Sequence, residues 1–229
     1  MKYIKDFKEI FIILICIFVF RSSFVNWYVI PSGSMLPTLK IGDHVVVNKM
    51  AYGFMLPFME TRLFSWGKPQ RGEIVVFQGP PQEGGQVLIK RVVAVENDKV
   101  EFIKGILQVN GIPVQETIEN NRDILTDTGS ADDFNDYNLI KETNLSQKSF
   151  LILKKKNEGM TFMEKKTWIV PAGKLFFLGD NRDNSFDSRF WGMIDEKNTY
   201  GKAFLISYST GDKGIWPHFR KDRFFLKLQ

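Results

Sequence analysis

Residues 87 to 95 read VLIKRVVAV. Nine residues dominated by valine, isoleucine and leucine, ended by Glu96-Asn97-Asp98, are the right length and composition for a strand and too short for a packed helix. Strand side chains alternate between faces, so Lys90 and Arg91 are expected to diverge, one entering a core while the other meets solvent. A lysine held among apolar side chains must shed its proton or find a partner, because the ammonium is costly to desolvate. On the strand alone, a surface lysine at a sheet edge is the competing reading.

The same pattern recurs on both sides. HVVVN at 44 to 48, EIVVF at 73 to 77, VEFI at 100 to 103, SFLILKK at 149 to 155, KLFFLGD at 174 to 180 and KAFLISYS at 202 to 209 are short β-like runs broken by Gly, Pro and Asp. In ILQVNGIPV at 106 to 114, Asn110-Gly111 sits between alternating apolar residues, which marks a two-residue hairpin. The expected fold is mainly β, an antiparallel sheet or barrel-like catalytic domain. A polar insertion spans about 115 to 148. From Glu116 to Glu142 eight acids face only Arg122 and Lys141, which reads as a polar excursion or a small inserted subdomain, and a solvated insertion without chemistry is the expectation for it.

At 229 residues with 44% hydrophobic content, the chain can bury one sizeable core and is not a disordered protein. A net charge of +5 is modest and unevenly spread, so a nucleic-acid partner is not expected. The single cysteine, Cys16, permits no internal disulfide and no cysteine-based zinc cluster, and His44 and His218 have no ligand spacing. No metal or other cofactor is expected.

Ile10 to Phe20 is uninterruptedly apolar, shorter than the roughly 20 residues a bilayer needs. Extension through Phe24, Val25, Trp27, Tyr28, Val29 and Ile30, with Arg21 snorkelling, gives an expected membrane anchor over 10–30. A removable secretory signal fits less well, because Arg21, Phe24, Asn26 and Trp27 crowd the place where small residues should stand. Lys2, Lys5 and Lys8 put residues 1–9 in the cytoplasm and residues 31–229 on the outer face.

Directly after the anchor comes PSGSMLPTL, 31 to 39. Proline and glycine favour a defined turn that presents Ser32 or Ser34 on rigid backbone, although an ordinary loop has the same composition. A serine nucleophile needs a base. His44 and His218 carry no convincing signature, whereas a desolvated Lys90 would serve. A third stretch, GDNRDNSFDSRFWG at 179 to 192, fails as a calcium loop counted from Asp183, since position six is Ser188 and position twelve Ile194. It reads instead as a rigid loop supporting a site.

PSGSMLPTL, RGEIVVF at 71 to 77, LIKRVVAV and GDNRDNSFDSRFWG, in that order after an N-terminal anchor, resemble the bacterial type I signal peptidases. The resemblance implies a Ser34 nucleophile and a Lys90 general base. It also implies a Ser32 hydroxyl beside the Ser34 N–H as oxyanion donor, and Ser185 orienting Lys90. Asp187 and Arg189 would form a bracing ion pair, and Gly179, Asp180 and Arg182 a supporting loop. One departure stands out: Ala94-Val95-Glu96-Asn97-Asp98 replaces a Gly-Leu-Pro-Gly-Asp type turn. The implied partners are signal peptides of exported preproteins, cut after small residues at Ala-x-Ala type sites, together with the lipid bilayer and the secretion translocon. The implied location is the bacterial cytoplasmic membrane. Tyr52 to Phe58 and Phe64 to Trp66 would either rest on that membrane or pack in the core.

Three other readings compete. A self-cleaving repressor of LexA type needs a DNA-binding helix-turn-helix where this chain has its anchor. A pilin or conjugation peptidase shares the dyad on a narrower substrate, and a non-enzymatic anchored β module leaves Ser34, Lys90 and Ser185 without a purpose.

Overall fold

The structure, a computed structural model, describes residues 8–14, 17, 23–55, 62–156, 166–211 and 218–228. The main sheet runs in the spatial order β1 (Val25–Val29), β2 (Asp43–Asn48), β16 (Thr199–Gly211), β5 (Ile74–Gln78), β6 (Val87–Ala94), β14 (Lys174–Leu178) and β15 (Ile194–Asp195). Its neighbours are antiparallel, and β17 (His218–Phe219) and β18 (Leu226–Lys227) also pair with the long β16. A second sheet joins β13 (Thr167–Ile169), β7 (Lys99–Ile103), β8 (Ile106–Val109) and β9 (Ile112–Pro113). The third joins β10 (Gln115–Ile118), β11 (Tyr137–Thr143) and β12 (Ser149–Lys155), and β3 (Gly53–Met55) pairs with β4 (Arg62–Ser65) as a hairpin.

The mainly β, antiparallel expectation therefore holds. Strands β5 and β6 carry continuous apolar runs because both their faces are covered. Val45, Val47, Ile74, Val76 and Ile206 pack on one side, and Val75, Phe77, Val92 and Phe177 on the other. Phe77 stacks on Phe177 with ring centroids 4.1 Å apart. Each such buried side chain contributes about 1.5–3 kcal/mol of transfer free energy. The Asn110-Gly111 hairpin is present, with φ of 57° and 77°, the left-handed pair that a two-residue turn of this kind requires.

Three expectations are corrected. Arg91 does not reach solvent: β6 is a central strand, and both Lys90 and Arg91 are buried. The stretch from Glu116 to Glu142 is solvated only in part: Asp123, Asp132, Asp133 and Asp136 are exposed, but β10 and β11 lie at its two ends and Glu142 is 1% exposed. Val25–Val29, read as the end of the anchor, pairs with β2 instead, as its valines and aromatics favour in a half-buried strand.

Residues 8–14 are helical, and Ile10, Phe11, Ile12, Ile13 and Leu14 are all more than half exposed. No helix among the described residues is long and apolar enough to cross a membrane. Residues 15, 16 and 18–22 of the expected anchor lie outside the described residues. The turn at Ala94 to Asp98 closes without the family's glycines. Asn97 takes φ 69°, and the buried Asp98 carboxylate accepts the Val95 N–H at 2.8 Å. Tyr52 and Met55 are core residues, whereas Phe64 and Trp66 are more than half exposed.

Candidate active site

The nucleophile candidate sits on a single turn of 3₁₀ helix, Gly33–Met35, entered from extended backbone at Ser32. Buried Met35, Leu36 and Leu39 hold the turn down and leave Ser32 and Ser34 accessible. Ser32 Oγ lies 3.4 Å from Ser34 Oγ. From the other side the Asn181 N–H donates to the Ser34 carbonyl at 3.1 Å, and Asn181 Nδ2 donates to the Gly33 carbonyl at 3.1 Å.

Register places Lys90 opposite Val75 on β5, and its amine reaches the turn: Lys90 Nζ is 2.5 Å from Ser34 Oγ. Lys90 is 4% exposed. Burial lowers its pKa to about 8 against the pull of Asp187, Glu83 and Asp180, and Arg189 adds to the lowering. A useful fraction of the amine is therefore neutral near physiological pH, with a lone pair available to the serine proton.

The loop after β14 supplies the support. Gly179 is obligatory on steric grounds, because a Cβ there would stand 2.3 Å from Ser185 Oγ and 2.4 Å from the Ser34 carbonyl oxygen. Asp187 and Arg189 form a buried two-bond pair at 2.7 and 2.8 Å. Asp187 also accepts the Gly179 N–H and caps the short helix Ser188–Trp191. Asp180 takes a two-bond contact from Arg91 at 2.8 and 2.7 Å and the Thr38 hydroxyl at 2.5 Å, tying β6, the loop and the serine turn together.

Ser185 sits against Gly179, yet its Oγ makes no hydrogen bond, so the implied bond to Lys90 is not formed. Arg182 is directed away from the serine, into a two-bond pair with Glu142 at 2.5 and 2.8 Å. For Asn181, Arg91, Thr38 and Glu142 no role in the site is read from the sequence. Asn181, Arg91 and Thr38 stand inside quoted motifs, whereas nothing local marks Glu142. The histidines lie in other settings: His44 stacks on Tyr208 at 3.9 Å, and His218 is 3.7 Å from Asp127.

Comparison with known proteins gives the same direction. The family described as Signal peptidase, peptidase S26, matches residues 3–208. A Signal peptidase I of Pseudomonas aeruginosa is 38% identical over 221 residues, covering 92% of this chain and 72% of that protein. One from Buchnera aphidicola is 33% identical over 247 residues, covering 94% and 78%, and one from Haemophilus influenzae is 31% identical over 261 residues, covering 97% and 75%. With a serine turn, a buried lysine against it and a family match over most of its length, the chain belongs to the signal peptidases of family S26.

Proposed function

We propose that this signal peptidase removes signal peptides from exported preproteins through a dyad of Ser34 and Lys90. The observation that carries the assignment is the 2.5 Å contact between the Ser34 hydroxyl and an amine sealed from water. Neutral Lys90 takes the hydroxyl proton as Ser34 Oγ bonds to the scissile carbonyl carbon. The oxyanion that forms is met by the Ser34 N–H and the Ser32 hydroxyl, donors that cost little reorganisation because the turn is already set. Protonated Lys90 then gives its proton to the leaving amine of the mature chain. Water, deprotonated by Lys90, then bonds to the acyl carbon. As the bond to Ser34 Oγ breaks, Lys90 returns the proton to that oxygen and the signal peptide is released. Ser185, whose buried hydroxyl makes no hydrogen bond in the resting structure, orients Lys90 during turnover. Gly179, Asp180, Arg182, Asp187 and Arg189 hold the frame.

Substrates are cut after small residues with a second small residue two positions earlier, shallow subsites rejecting larger side chains by exclusion. The apolar residues from Ile10 onward anchor the chain in the cytoplasmic membrane, with residues 1–9 inside and the β domain outside. Val25–Val29 is a strand, so the anchor proposed here ends before it and not at residue 30. The exposed Phe64 and Trp66 suit contact with lipid near the emerging substrate.

The test is cleavage of a preprotein carrying an Ala-x-Ala site by detergent-solubilised protein. Ser34→Ala and Lys90→Ala should each be folded and inactive. Full activity in either variant overturns the dyad.

A further inference from the structure

We infer that Glu142, from the acidic insertion, is a positioning residue for the serine turn. The inference rests on Ser34 being the nucleophile and adds a residue to that site. A chain of contacts links the two. Glu142 on β11 takes both terminal nitrogens of Arg182, whose side chain is fully enclosed. Arg182 is gripped by its backbone as well: its N–H donates to the Leu153 carbonyl on β12 at 2.9 Å, and its carbonyl accepts from Arg189 at 2.5 Å. The residue before it, Asn181, makes the two bonds that set the Gly33 and Ser34 carbonyls.

Displacement of Arg182 therefore moves Asn181, and with it the backbone that aims Ser34 Oγ at Lys90. Without Glu142 the guanidinium would be charged and unpaired inside the protein, and it would leave for water. A buried ion pair is a poor source of net stability, because an apolar pair of similar volume often serves as well or better. What the pair supplies that an apolar pair cannot is directional fixation of one backbone position.

The experiment separates these roles. Kinetics and thermal unfolding are measured on the full-length solubilised protein for Glu142→Gln and for the double variant Glu142→Leu with Arg182→Met. In Glu142→Gln, kcat should fall on the order of 10- to 100-fold, the size expected from a misaligned reacting pair, with KM within about twofold. The double variant should regain the parent melting temperature while kcat stays low. A parental kcat in the double variant overturns the inference, as does failure of both variants to fold, since the pair would then serve folding alone. Ser34→Ala in the same series distinguishes the two assignments: residual cleavage there sinks the nucleophile, whatever Glu142 does.

Discussion

Lys90 combines a destabilising placement with the role proposed for it. Its pKa is lowered chiefly by burial, to about 8, against about 10.4 in an unfolded chain. Between those values the unfolded state binds more protons than the folded state, so stability rises with pH across that window, and below it the folded state carries the whole penalty. Two expectations follow for this one side chain. Cleavage measured as kcat/KM should climb as pH passes about 8 and level off above, and a profile flat from pH 6 to 10 would rule out a lysine base. Lys90→Met, close in volume and without charge, should melt a few degrees above the parent at pH 7 while cleaving nothing. A lower melting temperature would show that the bond to Ser34 and the attraction of Asp187, Glu83 and Asp180 outweigh desolvation.

The loop from Gly179 to Gly192 works as one element, and Gly179 is where it fails first. A methyl group at that position meets a backbone carbonyl, that of Ser34, at 2.4 Å, and a carbonyl cannot rotate aside as a side chain can. Gly179→Ala should cost about 1–3 kcal/mol of stability, as overpacking does. It should lower kcat more than it raises KM, because the displaced group belongs to the serine turn. Steady-state kinetics with chemical denaturation check this, and a variant with unchanged kcat shows that the loop can move independently of Ser34. Much of the fold and of the site around this loop was legible in the sequence. Lys90 was marked by interrupting VLIKRVVAV, Asn110-Gly111 by its composition, and the serine turn by its flanking prolines. The partners were not legible, because they depend on contacts between distant residues. Arg91 meets Asp180 across 89 residues and Arg182 meets Glu142 across 40. Alternation assigns Arg91 to the face opposite Lys90 but cannot say that the face is covered. A count of acids likewise makes 116–142 look solvated when one of them is a buried counter-ion.

At the scale of the whole molecule, the second sheet is joined to the main sheet at Asp98, between β6 and β7. Its carboxylate accepts Arg71 from the turn before β5 at 2.7 and 2.5 Å, the Val95 N–H at the end of β6, and Asn110 Nδ2 from the β8–β9 hairpin at 2.8 Å. Burial pushes this carboxyl up, but the hydrogen bonds from Arg71, Val95 and Asn110 outweigh it and hold the pKa below the ordinary value. A carboxylate depressed in the folded state adds stability above its unfolded pKa of about 3.9, and that stability drains away as pH falls through the folded value. Asp98→Asn keeps the shape and some of the acceptors but removes the charge that four donors converge on. It should therefore unfold more easily at pH 7 by about 1–3 kcal/mol, and the gap from the parent should close progressively below pH 4. Thermal melts of both proteins from pH 2.5 to 7 make the comparison. Parallel curves with a constant gap would show that packing at the junction, and not the ionised carboxylate, holds the two sheets together.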